Sequence, residues 1–270
     1  MDTILPMPER LIAIGDIHGD IGKLKACFTA YGLIDAQERW TGGRAVVVQL
    51  GDQVDSQMRV AGTEPSWERE PDTEVVVFMD RLDAAARASG GRVISLIGNH
   101  EIMNSMGMLE YVSQRSMEHG AMVRQIRFNP GGDMAAILSR RQAIVKIGDI
   151  LFCHAGLLPH HLVLVKNDLR AINELVNKFF TGQPIDKRLF TELFLSESGL
   201  VWTRAYSNLP DDFLSACMDD VFGRVGGKTI VVGHTPVPAI INRVNQVWFI
   251  DTGFSRAFGD NTVQVLDIKR

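Results

Sequence analysis

The stretch Leu11-Ile12-Ala13-Ile14-Gly15-Asp16-Ile17-His18-Gly19 decides the fold. Residues 11–14 are a short apolar run that suits a buried strand, and it stops at a glycine followed by side chains able to bind metals or protons. The same ending recurs. Ala45-Val46-Val47-Val48-Gln49-Leu50 runs into Gly51-Asp52-Gln53-Val54-Asp55, and residues 92–97 run into Gly98-Asn99-His100-Glu101. Residues 21–33 and 73–89 read as helices between these strands, although Val75-Val76-Val77 suits a strand equally well by propensity. Strand–helix–strand alternation predicts an α/β fold with a largely parallel start. Loops beyond the carboxyl ends of such strands converge, so Asp16, Asp52 and Asn99 are expected at one edge.

The second half repeats the pattern less regularly. Residues 143–147 and 150–153, joined at Gly148-Asp149, read as a hairpin leading into His154-Ala155-Gly156. Residues 166–181 and 187–195 read as helices. A strand over 229–232 ends in Gly233-His234, and 239–243, 246–250 and 262–268 complete a strand-rich C-terminus. There is no internal repeat, low-complexity tract or linker, so a single domain over 1–270 is expected. Helical insertions are expected at about 103–141 and 158–195.

Composition narrows the class. The chain has 270 residues, 46% hydrophobic and 22% charged, which are ordinary globular values and argue against disorder or coiled coil. A net charge of −4 is too mild, and of the wrong sign, for a general nucleic-acid binder. Three scattered cysteines (Cys27, Cys153, Cys217), with no CxxC, point to a reduced compartment without disulfides. The N-terminus lacks the pattern of a signal peptide, and no apolar run approaches the roughly 18 residues of a membrane span. The expectation is a cytoplasmic protein with neither membrane nor nucleic-acid partners. Of its seven histidines, four (His18, His100, His154, His234) fall at the glycine-marked strand ends. His119, His160 and His161 are expected to be surface or cap residues.

Taken in order, these five strand ends resemble the GDxHG, GDxxD, GNHE, HxG and GH motifs of the calcineurin-like metallophosphoesterases, in the phosphoprotein phosphatase branch. The match spans residues 15–253. At roughly 5% per residue type, one four-residue motif arises by chance in a chain this long about two times in a thousand, so the ordered set is specific. The resemblance implies a central β-sandwich of mixed sheets flanked by helices, with the site at the carboxyl ends of strands. It also implies two divalent ions, manganese first and iron or zinc as alternatives. Asp16 and His18 would bind one, Asn99, His154 and His234 the other, and Asp52 would bridge them. Ions roughly 3.5–4 Å apart can clamp both the attacking and the leaving oxygen of an in-line phosphoryl displacement. Mixed N and O ligands keep them Lewis acidic. By the same resemblance a metal-bridging hydroxide attacks phosphorus, and His100, held by Asp55, protonates the leaving group. Glu101 is expected to support the ligands from behind.

The phosphate clamp departs from the family. Where its members carry Arg after the GDxxD aspartate, this chain has Ser56-Gln57, and Ser cannot supply a bidentate fork. Arg59 could reach the same oxygens or could be a solvated loop residue. Arg204, in Trp202-Thr203-Arg204, resembles the arginine that grips substrate phosphate in bacterial members. Glu101-Ile102-Met103-Asn104, Tyr111-Val112-Ser113, Gly233-His234-Thr235-Pro236 and Ile250-Asp251-Thr252-Gly253 resemble the bacterial-type Shewanella-like phosphatases, with Asp251 expected to be structural. Segment 103–134 holds six of eleven methionines, interleaved with Arg115, Arg124 and Arg127. It reads either as an adaptable wall for an anionic substrate or, more simply, as a helical insertion with core methionines. The expected activity is hydrolysis of phosphomonoesters on protein or peptide, at Ser/Thr or Tyr. The alternatives are a dinucleoside polyphosphate hydrolase and a non-catalytic phosphatase-like binding protein.

Overall fold

The computed structural model describes residues 2–59, 67–117, 119–259 and 262–269. Its strands are β1 Ile4–Leu5, β2 Arg10–Ile14, β3 Val46–Gln49, β4 Arg92–Ser95, β5 Ile144–Ile147, β6 Ile150–Cys153, β7 Thr229–Val232, β8 Ile241–Arg243, β9 Val247–Phe249 and β10 Leu266–Lys269. Its helices are α1 Ile21–Ala30, α2 Thr73–Ala88, α3 Asn99–Ser105, α4 Ala121–Phe128, α5 Asp133–Leu138, α6 Pro159–Leu164, α7 Leu169–Phe180, α8 Lys187–Phe190, α9 Ala205–Asn208 and α10 Asp211–Val225.

The strands form two mixed sheets. One has the order β10-β2-β3-β4, in which β2, β3 and β4 are parallel and β10 runs against β2. The other has the order β1-β5-β6-β7-β9-β8, with β6, β7 and β9 parallel, β5 antiparallel to β6 but parallel to β1, and β8 antiparallel to β9. The period-2 alternation of side chains explains how they stack. Leu11, Ala13, Val46, Val48, Ile94 and Leu96 meet Val145, Ile147, Phe152 and Val231 between the sheets. The alternate residues Ile12, Ile14, Val47 and Val93 face outward against Leu24 and Phe28 of α1 and Val75, Met79 and Leu82 of α2. On the far side Ile144, Leu151, Cys153, Ile230 and Val232 pack against α5, α7 and α10. Burial on both faces is why β3 reads as an unbroken apolar run rather than an alternating one.

Several boundaries differ from the sequence reading for local reasons. Val75-Val76-Val77 is helical, because Val75, Met79, Leu82 and Ala86 lie on one stripe against the sheet and outweigh β-propensity. α1 stops at Ala30, with Gly32 left-handed (φ 68°) and Leu33 N–H donating to Phe28 O. The expected helix over 166–181 begins only at Leu169, since Lys166 and Asn167 are left-handed and Asp168 caps the helix by accepting from Arg170 N–H. The expected strand over 262–268 shrinks to β10. α10 was not anticipated. Its signal is Leu214, Met218 and Val221 at helical spacing between Pro210 and Gly226. Among the described residues no helix is long and apolar enough to cross a membrane.

His161 caps α6 but is buried rather than at the surface. Its Nδ1 accepts from Leu158 N–H (3.0 Å) and its Nε2 donates to Ser198 O (2.8 Å), an arrangement that requires the neutral ring. Burial, with His160 beside it, pushes its pKa down to about 4. The unfolded ring takes a proton near the ordinary value of about 6.5, so stability is complete above that pH and falls as pH drops toward 4. The linkage amounts to about 3 kcal/mol at its full extent. Urea midpoints at pH 7 and pH 4.5 should therefore fall further in the wild type than in His161→Gln. Equal acid losses in the two proteins would dismiss this role.

Candidate active site

Four of the five site loops leave a strand through a glycine because there is no room for a side chain. A Cβ on Gly98 would lie 2.2 Å from Asp52 Oδ1, and one on Gly233 would lie 2.2 Å from Asp16 Oδ1. The loops are also strained. His18, Asp52, Asp55 and His234 all occupy left-handed backbone, with φ of 41°, 52°, 70° and 61°. Such conformations cost on the order of 1–3 kcal/mol each and persist where surrounding contacts enforce them. Here Ile17 and His18 N–H both donate to Asp52 O, locking the first two loops together. Glu101 locks the second to the third, accepting from the backbone N–H groups of Asp52, Gln53 and Gly98.

The result brings eight of the ten expected residues into one buried cluster and sets the two arginines at its mouth. Asp52 is central. Its Oδ1 accepts from His100 N–H (3.0 Å), which turns Oδ2 toward His154 Nε2 at 3.3 Å, His18 Nε2 at 3.8 Å and His100 Nε2 at 3.9 Å. Two groups of ligand atoms, His18/Asp52/His100 and Asp52/His154/His234, share that carboxylate, each with its atoms within 4.8 Å of one another. Asn99 Oδ1 lies 2.9 Å from His154 Nε2, and Asp16 Oδ1 lies 3.9 Å from His154 Nδ1.

The outer nitrogens separate the histidines into two kinds. His18 Nδ1, His154 Nδ1 and His234 Nε2 each meet a main-chain carbonyl, of Val54, Leu50 and Trp202 respectively. Such a carbonyl fixes tautomer and orientation and leaves the other nitrogen a lone pair for a cation. His100 Nδ1 instead faces the Asp55 carboxylate at 2.6 Å. Burial opposes its protonation, but Asp52 and Asp55 outweigh burial and raise its pKa. Burial and a neighbouring histidine push His18 and His234 down to about 3, keeping both neutral.

The donor set fits divalent cations. Asp16 Oδ1 is buried with no hydrogen-bond donor, although most buried polar atoms find a partner. Burial and Asp251 raise the Asp16 pKa. His154 is pushed up to about 10: burial disfavours its charge, but Asp52 and Asp16 hold a positive charge there. A point that stabilises a cation against full burial, lined by neutral imidazoles, carboxylates and an amide oxygen, suits borderline divalent ions.

The cleft over this cluster encloses about 580 Å³. Arg59 and Arg204 both line it. Arg204 Nη1 donates to His234 O and Thr235 Oγ1, and Arg59 lies over the Tyr111 ring, 4.4 Å from its centroid. Ser56 is buried away from the cleft, bonded to Glu68 together with Ser113 and Ser116. Asp251 lines the cleft while holding Gly253 N–H, so it borders the chemistry as well as the turn.

A buried network behind His100 was not legible in the sequence. Arg124 forks Asp72 through Nη1 (2.8 Å) and Nη2 (2.9 Å), and its Nε donates to Asn104 Oδ1. Asn104 in turn donates to Asp55 Oδ1 and His100 O, while Asp72 accepts from Asp55 N–H. Arg124 thus points inward and orients the Asp55/His100 pair rather than forming a wall. Of the methionines in its segment, Met103 and Met108 line the cleft and Met134 belongs to the core. The interleaved arginines and methionines mark the segment, but not which arginine turns in. Arg124→Met leaves Asp72 and Asp55 buried without their cation and should destabilise the fold by about 3–5 kcal/mol, measured by urea unfolding. A loss below about 1 kcal/mol would show that the network is not coupled.

The calcineurin-like phosphoesterase model matches residues 9–238, and the chain belongs to that family. Within it, the chain is 29% identical to Shewanella-like protein phosphatase 2 of Arabidopsis thaliana, over all of this chain and 78% of that protein. It is 32% identical to Shewanella-like protein phosphatase 1 of Plasmodium berghei, over 91% of this chain and 67% of that one. Among solved structures, the cold-active protein-tyrosine phosphatase of a psychrophilic Shewanella superposes on the whole chain and 78% of its own, with TM-score 0.80 and 25% identity.

Proposed function

We propose that the protein is a phosphoprotein phosphatase using two divalent ions, and that the ten residues expected from sequence carry it. The observation that bears this reading is Asp52 Oδ2 standing between two ligand clusters, with the His100–Asp55 pair on the cleft side. Asp16, His18 and Asp52 would hold one ion, and Asp52, Asn99, His154 and His234 the other. Bound there, the ions supply Lewis acidity toward the phosphoryl oxygens and a water of lowered pKa.

The chain's own residues supply the rest. Arg204 and Arg59 reach the cleft from two sides and hold non-bridging oxygens of the phosphate, which compensates for Ser56. His100 Nε2 faces the same space and gives its proton to the leaving oxygen as the P–O bond breaks. Asp55 keeps the ring oriented and charged, and Asn104 and Arg124 keep Asp55 in place. Kinship with named protein phosphatases favours a phosphoprotein substrate over a dinucleoside polyphosphate or a purely binding role.

The rim supports one further preference. Met103, Met108, Tyr111, Trp202 and Phe258 line the cleft, giving an aromatic leaving group apolar and edge-on contacts. A panel of phosphopeptides with manganese-replenished enzyme should show phosphotyrosine turned over at least as fast as phosphoserine or phosphothreonine. Activity should vanish after chelation and return with manganese. Faster turnover of diadenosine tetraphosphate than of any phosphopeptide would overturn the substrate class.

A further inference from the structure

A second cavity, of about 540 Å³, lies along β4, the outer strand of the four-stranded sheet. It shares no lining residue with the active cleft. β4, α2 and the segment after α5 line it, and they bring in Arg87, Arg92, Arg140 and Arg141 against two carboxylates, Asp80 and Asp83. Both carboxylates are already engaged. Asp83 takes Arg87, Arg92 and Val93 N–H, and Asp80 takes Arg140.

Arg141 is different. It is 6% exposed, its Nη2 donates to Val76 O at 2.9 Å, and among the described residues no carboxylate forms an ion pair with it. A buried guanidinium without a counter-ion is costly, and burial lowers its pKa to about 10. Ser95 supplies an independent sign. The residue lines the same cavity and is 5% exposed, and its hydroxyl is buried with no hydrogen-bond partner. It sits between two edge N–H groups of the strand that are satisfied, Val93 by Asp83 and Ile97 by Gln142 O.

We propose that this cavity is a second binding site, for a small organic ligand carrying a phosphate group, held by Arg141, Arg140 and the Ser95 hydroxyl. Four guanidinium groups against two carboxylates leave an excess that a phosphate dianion neutralises. Guanidinium forks and a hydroxyl converging from different elements match its several oxygens. The volume falls in the range of about 300–1,000 Å³ typical of small-molecule pockets, so the site has room for an organic part beside the anion. The inference does not depend on how the active cleft is read.

Calorimetric titration of the manganese-loaded protein with phenylphosphonate, which has no hydrolysable ester, tests it. Two sites are expected in the wild type. Arg141→Gln and Arg140→Glu should each weaken the second site at least tenfold, while kcat/KM for p-nitrophenyl phosphate stays within twofold. Arg140 is exposed, so its variant remains informative if Arg141→Gln fails to fold. The absence of any phenylphosphonate site that Arg140→Glu weakens would overturn the proposal. Second-site binding of inorganic phosphate without phenylphosphonate would reduce it to a bare-anion site, and preferential binding of citrate there would reassign it to a polycarboxylate. Either result also overturns it.

Discussion

Asp52→Asn should give a folded protein whose hydrolysis of p-nitrophenyl phosphate is slowed by at least about a thousandfold, a loss of roughly 4 kcal/mol of transition-state stabilisation. The substitution is isosteric, and its amide oxygen can still accept from His100 N–H, so the loop should persist. What disappears is the charge on the Oδ2 side, which faces three imidazoles at 3.3–3.9 Å and is common to both ligand clusters. An amide presented there donates or accepts one bond but does not join two cations. Elemental analysis should accordingly find fewer than two ions per chain in the variant and two in the wild type. Two ions and near-normal rates in Asp52→Asn would remove the bridging role.

The second large effect concerns His100, whose ring lies in the same cluster as His18 and Asp52 and could be mistaken for a ligand. The carboxylate at its Nδ1 argues for an acid instead, because it favours the protonated ring, whereas His18, His154 and His234 each meet a main-chain carbonyl that fixes the outer N–H and turns the inner nitrogen toward the cluster. His100→Ala should slow phosphoserine-peptide hydrolysis by about 10²–10⁴-fold, the usual worth of a general acid. Hydrolysis of p-nitrophenyl phosphate should also lose most of its rate, but less, since nitrophenolate departs with little protonation. The variant should still bind two ions. Equal losses on both substrates together with a lost ion would make His100 a ligand and leave the leaving group unassisted.

The strand ends and the candidate ligand residues were legible because both are local. An apolar run that stops at Gly-Asp or Gly-Asn declares a strand end and a candidate ligand within a few residues, and parallel strands bring successive ends to one edge. The α10 helix had equally local signals at Leu214, Met218 and Val221 and could have been read. Arg124 could not. It stands 69 residues from Asp55, and nothing in its neighbours distinguishes it from Arg127, which pairs with Asp133 at the surface. Ser56 illustrates the same limit: the missing arginine was visible in sequence, but its replacement by a buried Ser56–Glu68 cluster was not.

By itself the sequence determined the class of the protein, the alternation that builds two stacked sheets, and the identities of the residues around Asp52. Tertiary structure decided their division of labour. Which nitrogen of His18, His154 and His234 faces inward depends on carbonyls 32 to 104 residues away, and the left-handed turns at His18, Asp52, Asp55 and His234 hold only under contacts from other loops. It also decided that Arg141, with no carboxylate partner among the described residues, and Ser95, whose hydroxyl is unsatisfied, line one cavity. Strand and ligand preferences are written in neighbouring residues, whereas orientation and charge compensation depend on whichever distant groups packing brings within a few ångströms.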